Sequence, residues 1–326
     1  MVENILDNVI NDNTKLGHKL SPTGHKNNSL KILLKAIRVH QFSKNILIFL
    51  PLFLGHLYNN VTNISSTILG FIAFCLIASS VYLLNDLIDL DTDRSHHLKK
   101  NRPLASGDLS ITTALFLIPL FLFVGIAIAV YLNVIFSLIA TTYFCLTFAY
   151  SLYFKNQRIT DVFTLAVLYM IRVAAGVVIV DAVFSEWLLS FALFFFLSLA
   201  FVKRYSELFQ LKKLGTDKMA DKQYNIDDMK LLQIFGITSG FCSIIVLALY
   251  INSPAMTALY SSSACLWGIS ALLLFWVCKI WDEAVHGRIA EDPVAHFLYD
   301  KTSWCIFGMI VFLFFMASNH LSIHVT

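Results

Sequence analysis

Apolar residues along this chain gather in long blocks, most of them roughly 18 to 24 residues, the length that crosses a hydrocarbon core as a helix. Short polar segments separate them. Nine spans are predicted, at 44–59, 66–88, 111–131, 133–152, 161–181, 186–203, 231–251, 257–280 and 304–320. The first is the shortest and carries Pro51. Ahead of it, "KILLKAIRVHQFS" (31–43) reads as an amphipathic helix lying on the membrane surface. Residues 1–30 are polar, rich in Asn, Lys and His, and have no apolar core, so they are expected to form a disordered tail and not a cleavable signal peptide. The pattern therefore predicts an all-α fold: a polytopic membrane protein of nine transmembrane helices over residues 31–326.

Charge placement tests that count. Hydrophobic residues make up 57% of the 326 and charged residues only 14%, against about a quarter in a soluble domain. Of the 24 Lys and Arg residues, 23 fall in the segment up to Lys44 or in residues 94–102, 155–158, 203–230 and 279–301. Nine spans put all of these on one side of the membrane. The opposite connections near 60–65, 132, 182–185 and 252–256 carry no Lys or Arg. The positive-inside rule then makes the basic side cytoplasmic, in a bacterial inner membrane. The remaining cation, Arg172, falls near the middle of the fifth span. A charge there costs about 2.5–3.5 kcal/mol to insert, so it should face the bundle interior and a functional cavity. Nothing in this pattern calls for a nucleic-acid partner. The six cysteines all lie in or beside apolar runs without metal-like spacing and are read as small buried hydrophobes.

The second span ends in "VYLLNDLIDLDTDRSHHLKKNRPLASG" (81–107). Asp86, Asp89 and Asp93 are spaced i, i+3, i+7 and share one helical face; Asn85 borders it, while Asp91 points elsewhere. Three like charges on one face repel unless a cation sits among them. Mg²⁺ commonly binds through one or two carboxylates and substrate phosphates, which this cluster suits. Cations follow at once, Arg102 among them, and the other loops on that side add Lys44, Lys155, Lys203 and Arg204. Together these residues predict a membrane-embedded site for a diphosphate-bearing donor. His96 and His97 read as loop residues.

"NDLIDLDTD" fits an NDxxDxxxD signature, and with nine spans the chain resembles the UbiA superfamily of intramembrane prenyltransferases. The resemblance implies two acidic motifs, after the second and sixth spans, that hold an isoprenyl diphosphate through Mg²⁺. At the second motif this sequence departs: "KRYSE" stands where DxxxD is expected, leaving Glu207 as the nearby acid. "RVHQFSKN", "IRVAAG", "SEW", "KRYSE" and "EDP" are similar to one branch, the decaprenyl-phosphate phosphoribosyltransferases. That branch implies transfer of 5-phosphoribose from phosphoribosyl pyrophosphate to a polyprenyl phosphate whose tail lies in the bilayer. The cations at span six would match the extra phosphate of such a donor. On this reading Asp86, Asp89 and Asp93, helped by Asn85, hold Mg²⁺ and do the catalytic work. Lys44, Arg102, Lys155, Arg172, Lys203 and Arg204 bind substrate. The alternative enzyme moves an isoprenyl group to an aromatic acceptor. A transporter would instead show internal repeats and helices broken at the midplane, whereas these acids cluster at a membrane face.

Overall fold

The computed structural model describes residues 26–95, 99–215, 223–260, 262–289 and 293–318. The expected tail up to residue 25, His96 and His97 lie outside them, as do the first two residues of "EDP". Among the described residues the fold is helical with no strand. The helices are α1 (Lys26–Ala36), α2 (Leu50–Leu54), α3 (Val61–Ile88), α4 (Leu90–Ser95), α5 (Ile111–Leu132), α6 (Val134–Leu152) and α7 (Thr160–Ile179). They continue as α8 (Glu186–Lys213), α9 (Met229–Ile251), α10 (Pro254–Leu259), α11 (Ser263–Val285), α12 (Pro293–Tyr299) and α13 (Lys301–Ser318). Among the described residues, eight helices are long and apolar enough to cross a membrane. This is an integral, multi-pass membrane protein.

The expected first span is built differently from the rest. Residues Val39–Phe49 form a 3-10 helix that runs into α2. At about 2.0 Å per residue in 3-10 geometry and 1.5 Å in α, Val39–Leu54 extends about 30 Å, close to a hydrocarbon thickness. It runs antiparallel to α3. Ser79 Oγ donates to Ile37 O (3.3 Å), Asn45 Nδ2 reaches Cys75 Sγ (3.3 Å), Phe49 meets Phe71 (5.8 Å), and Asn63 Nδ2 donates to Leu57 O (3.3 Å). The amphipathic helix expected at 31–43 is corrected: α1 spans Lys26–Ala36, and Arg38 breaks it in a left-handed conformation (φ 54°). Residues 26–30, expected in the disordered tail, are helical.

Two compact units divide the chain: residues up to Ser151 with Ala174–Ala182, and Leu152–Val173 with the chain from Val183 onward. In the first unit Leu83, Leu87 and Leu90 form the apolar face of the acidic segment. They bury against Ala36, Leu104, Leu109, Ile111 and Ala114. These contacts hold Leu104 and Leu109 against the apolar face, while Asp86, Asp89 and Asp93 occupy the neighbouring face.

In the second unit α9 lies close against α8 and α11 through "GITSG". A Cβ on Gly236 would come within 2.1 Å of Trp281 and 2.7 Å of Phe201, and one on Gly240 within 2.6 Å of Val277. Small residues spaced in this way let membrane helices approach closely. Ser198 Oγ donates to Gly236 O (2.7 Å) and accepts from Trp281 Nε1 (3.0 Å), closing the contact. The cysteines depart from expectation: Cys75 is buried, but Cys145, Cys278 and Cys305 are exposed on predicted spans.

Candidate active site

The acidic segment keeps helical spacing across the boundary between α3 and α4. Asp89 N donates to Asn85 O (2.9 Å) and Asp93 N to Asp89 O (2.8 Å), although Asp89 itself is a turn residue. Asp86 and Asp93 are 3% and 1% exposed, Asp89 is half-buried and Asp91 is exposed, as the i, i+3, i+7 face requires. Cations lie among the acids. Arg102 Nη1 stands 2.5 Å from Asp93 Oδ2 and 3.2 Å from Asp86 Oδ1. Arg38 Nη2 meets the same Asp86 oxygen at 2.5 Å, with its guanidinium 5.0 Å from the Tyr82 ring centroid. The repulsion inherent in the sequence is thus relieved by two arginines of the same unit.

Arg38 was not singled out from the sequence. It lies inside "RVHQFSKN", where topology alone accounts for a basic residue, and only the left-handed turn brings it onto Asp86.

Whether a divalent cation fits can be judged from unused oxygens. Asn85 Oδ1 and Asp93 Oδ1 are buried and have no hydrogen-bond partner among the described residues, a costly state unless something else satisfies them. Among the described residues, no three His, Cys, Asp or Glu side chains converge closely enough to enclose a metal. The donor set therefore fits an ion held by one or two carboxylates and an amide, with its other ligands from substrate.

The second unit holds the other expected cations. Lys155 follows α6 and Lys203 lies on α8; both are half-buried. Lys44, in the first unit, is also half-buried. Arg172 is buried on α7, its Nη1 donating to Leu168 O (2.5 Å) and its guanidinium 5.5 Å from the Tyr169 ring centroid. Arg204, expected among the loop cations, is instead 1% exposed. The reason is that α8 does not stop near residue 203 but continues to Lys213. The Arg204 guanidinium ion-pairs with Asp161 Oδ2 (2.6 Å) and with Glu207. Tyr224 OH donates to Asp161 Oδ1 (2.8 Å) and accepts from Ile159 N (2.6 Å). Asp161 and Tyr224 were missed: an acid at the start of a span reads as a helix-terminus charge, and a tyrosine in a polar loop carries no signal.

The UbiA prenyltransferase family matches residues 48–299, and the chain belongs to that family. Over 318 residues it is 35% identical to an uncharacterized protein, y4nM, of Sinorhizobium fredii, covering 95% of this chain and 62% of that one. A decaprenyl-phosphate phosphoribosyltransferase of Mycolicibacterium smegmatis is 32% identical over 209 residues, 63% of this chain and 66% of its own. The chain thus spans about two thirds or less of each of these relatives. A UbiA homolog from Archaeoglobus fulgidus, solved bound to GPP and Mg²⁺, shares the fold with a TM-score of 0.64 at 19% identity, over 88% of this chain and 99% of that one.

Proposed function

We propose that this protein transfers 5-phosphoribose from phosphoribosyl pyrophosphate to a polyprenyl phosphate. The observation that carries the reading is the replacement of a second acidic motif by Lys203, Arg204 and Glu207 on α8. An allylic diphosphate gripped by metal on both sides needs carboxylates there; a donor with an additional 5-phosphate needs cations. The 32% identity to a decaprenyl-phosphate phosphoribosyltransferase supports the same assignment.

In this reading one or two of Asp86, Asp89 and Asp93, with Asn85 Oδ1, would hold Mg²⁺ at the donor pyrophosphate. A metal held by these residues would supply positive charge where the leaving pyrophosphate develops negative charge. Arg38 and Arg102 exchange part of their hold on Asp86 and Asp93 for pyrophosphate oxygens. Lys44, Lys155 and Lys203 contact phosphates, while Arg204 stays in its ion pairs with Asp161 and Glu207. Arg172, a mid-span cation, marks the substrate path. An oxygen of the polyprenyl phosphate attacks the anomeric carbon, forming the new C–O bond. The C–O bond to pyrophosphate breaks, and the electron pair leaves with pyrophosphate. The nucleophile is already anionic at neutral pH, so no strong general base is required. The acidic and basic segments face the cytoplasm of a bacterial inner membrane, where the soluble donor is supplied.

The test is turnover by purified protein in detergent with Mg²⁺, offered labelled phosphoribosyl pyrophosphate and a polyprenyl phosphate. Labelled lipid should form. If that donor is ignored and a labelled prenyl diphosphate is transferred to an aromatic acceptor, the reading fails. The UbiA homolog solved with GPP and Mg²⁺ is the observation favouring that second outcome.

A further inference from the structure

The turn that carries Lys155 ends in Ile159, at φ 63°. A β-branched residue rarely adopts this left-handed conformation, and strain of this kind persists only where the surroundings enforce it. Among the contacts that hold it there, the Tyr224 hydroxyl accepts the Ile159 N–H at 2.6 Å. That hydroxyl in turn donates to Asp161 Oδ1 at 2.8 Å, and Asp161 Oδ2 lies 2.6 Å from Arg204 Nη2. One carboxylate therefore ties together three segments: the Lys155 turn, the loop that leads into α9, and the part of α8 that carries Lys203. Asp161 and Arg204 are 0% and 1% exposed.

Burial pushes the Tyr224 phenol well above its usual range, so the hydroxyl stays a donor through the physiological pH range. A second tie holds the same turn, the ion pair of Arg158 with Asp228. An apolar group of similar volume would pack as stably as a buried ion pair. What the charged node adds is a fixed geometry.

We propose that Asp161 is a positioning residue: through Tyr224 and Arg204 it sets the Lys155 turn against the Lys203 segment so that both lysines grip the phosphates of the donor. This rests on the assignment of those lysines as phosphate ligands. Asp161 itself touches no substrate.

The test compares wild type, Tyr224→Phe and Asp161→Asn as full chains in detergent. Tyr224→Phe keeps the ring, 5.8 Å from the Arg204 guanidinium, and removes only the hydroxyl, so it serves if Asp161→Asn does not fold. Three quantities are read: calorimetric affinity for inorganic pyrophosphate with Mg²⁺, KM for each substrate, and the thermal midpoint. Both variants should weaken pyrophosphate binding and raise the donor KM about tenfold, with the acceptor KM unchanged. A fall in midpoint or in active fraction with pyrophosphate affinity and donor KM unchanged would show a purely structural node and overturn the proposal. If wild type binds pyrophosphate but does not use the phosphoribosyl donor, the donor assignment fails, and Asp161 is then judged on pyrophosphate affinity alone. Wild type that binds no pyrophosphate would overturn both.

Discussion

Asp86 and Asp91 are near neighbours in sequence in opposite surroundings: Asp86 is buried against Arg38 and Arg102, and Asp91 is exposed. Asp86→Asn should all but abolish turnover, a loss of at least about a hundredfold, because removing a carboxylate that holds the metal should cost no less than disturbing the partners behind one. Asp91→Asn should stay within about twofold, as surface changes do. Equal losses in steady-state rates would remove the argument from spacing. This contrast was legible in the sequence because helical periodicity alone decides which acid turns inward. Arg204 was not. Its partner Asp161 lies on another span, and no local pattern links the two. Arg204→Ala should destabilise the protein by about 3–5 kcal/mol, because it strands a buried carboxylate. The double change with Asp161→Ala should recover part of that loss. Thermal unfolding in detergent reads both; additive losses would mean the pair is not coupled.

At the scale of elements, the spans were legible because each apolar block is longer than a soluble helix needs. Their ends were not, since a helix leaving the membrane can continue in water, as α8 does to Lys213. Nor was the close approach of α9 read from "GITSG", although the spacing was there to see. Gly236→Ala should destabilise the α8–α9–α11 packing by about 1–3 kcal/mol, because the added methyl would overlap Trp281. Gly308→Ala on α13 meets nothing within 4 Å and should be neutral or stabilising by up to about 1 kcal/mol. Melting midpoints that fall equally would argue against the close contact.

The start of α13 also carries a pH dependence. Partial burial pushes the Asp300 carboxyl up, but Lys279 (2.6 Å) and the Ser303 N–H (2.7 Å) outweigh it and hold the group well below the usual carboxylate range. A carboxylate depressed in the folded state adds stability above its unfolded pKa, near 4, and that stability is lost as pH falls further. Asp300→Asn should therefore lower the midpoint at pH 7 and make it less sensitive to acid below about pH 4. A variant whose acid slope matches wild type would place the sensitivity elsewhere.

For the whole molecule, the membrane count turns on the weakest span. Charge bookkeeping required nine crossings, yet Val39–Leu54 is shorter than any of the eight long helices. The antiparallel contacts resolve this physically. Between Asn63 and Ser79, α3 rises about 24 Å at 1.5 Å per residue, and the segment from Ile37 to Leu57 accompanies it all the way. Moreover, Lys35 Nζ donates to Asn101 O (2.8 Å) and Ala36 packs with Leu104 and Leu109, so α1 lies at the same end as the loop after α4. A segment that merely dipped in and returned would leave α1 beside Asn59 instead. Single cysteines at Ser29, Ser106 and Asn59, placed in a cysteine-free background and probed in oriented vesicles with a reagent that cannot cross the membrane, decide the matter. All three positions are exposed. Ser29 and Ser106 should label from one side and Asn59 from the other. If Ser29 labels with Asn59, Val39–Leu54 does not cross; the chain then has one crossing fewer, and the charge pattern up to Lys44 needs another cause.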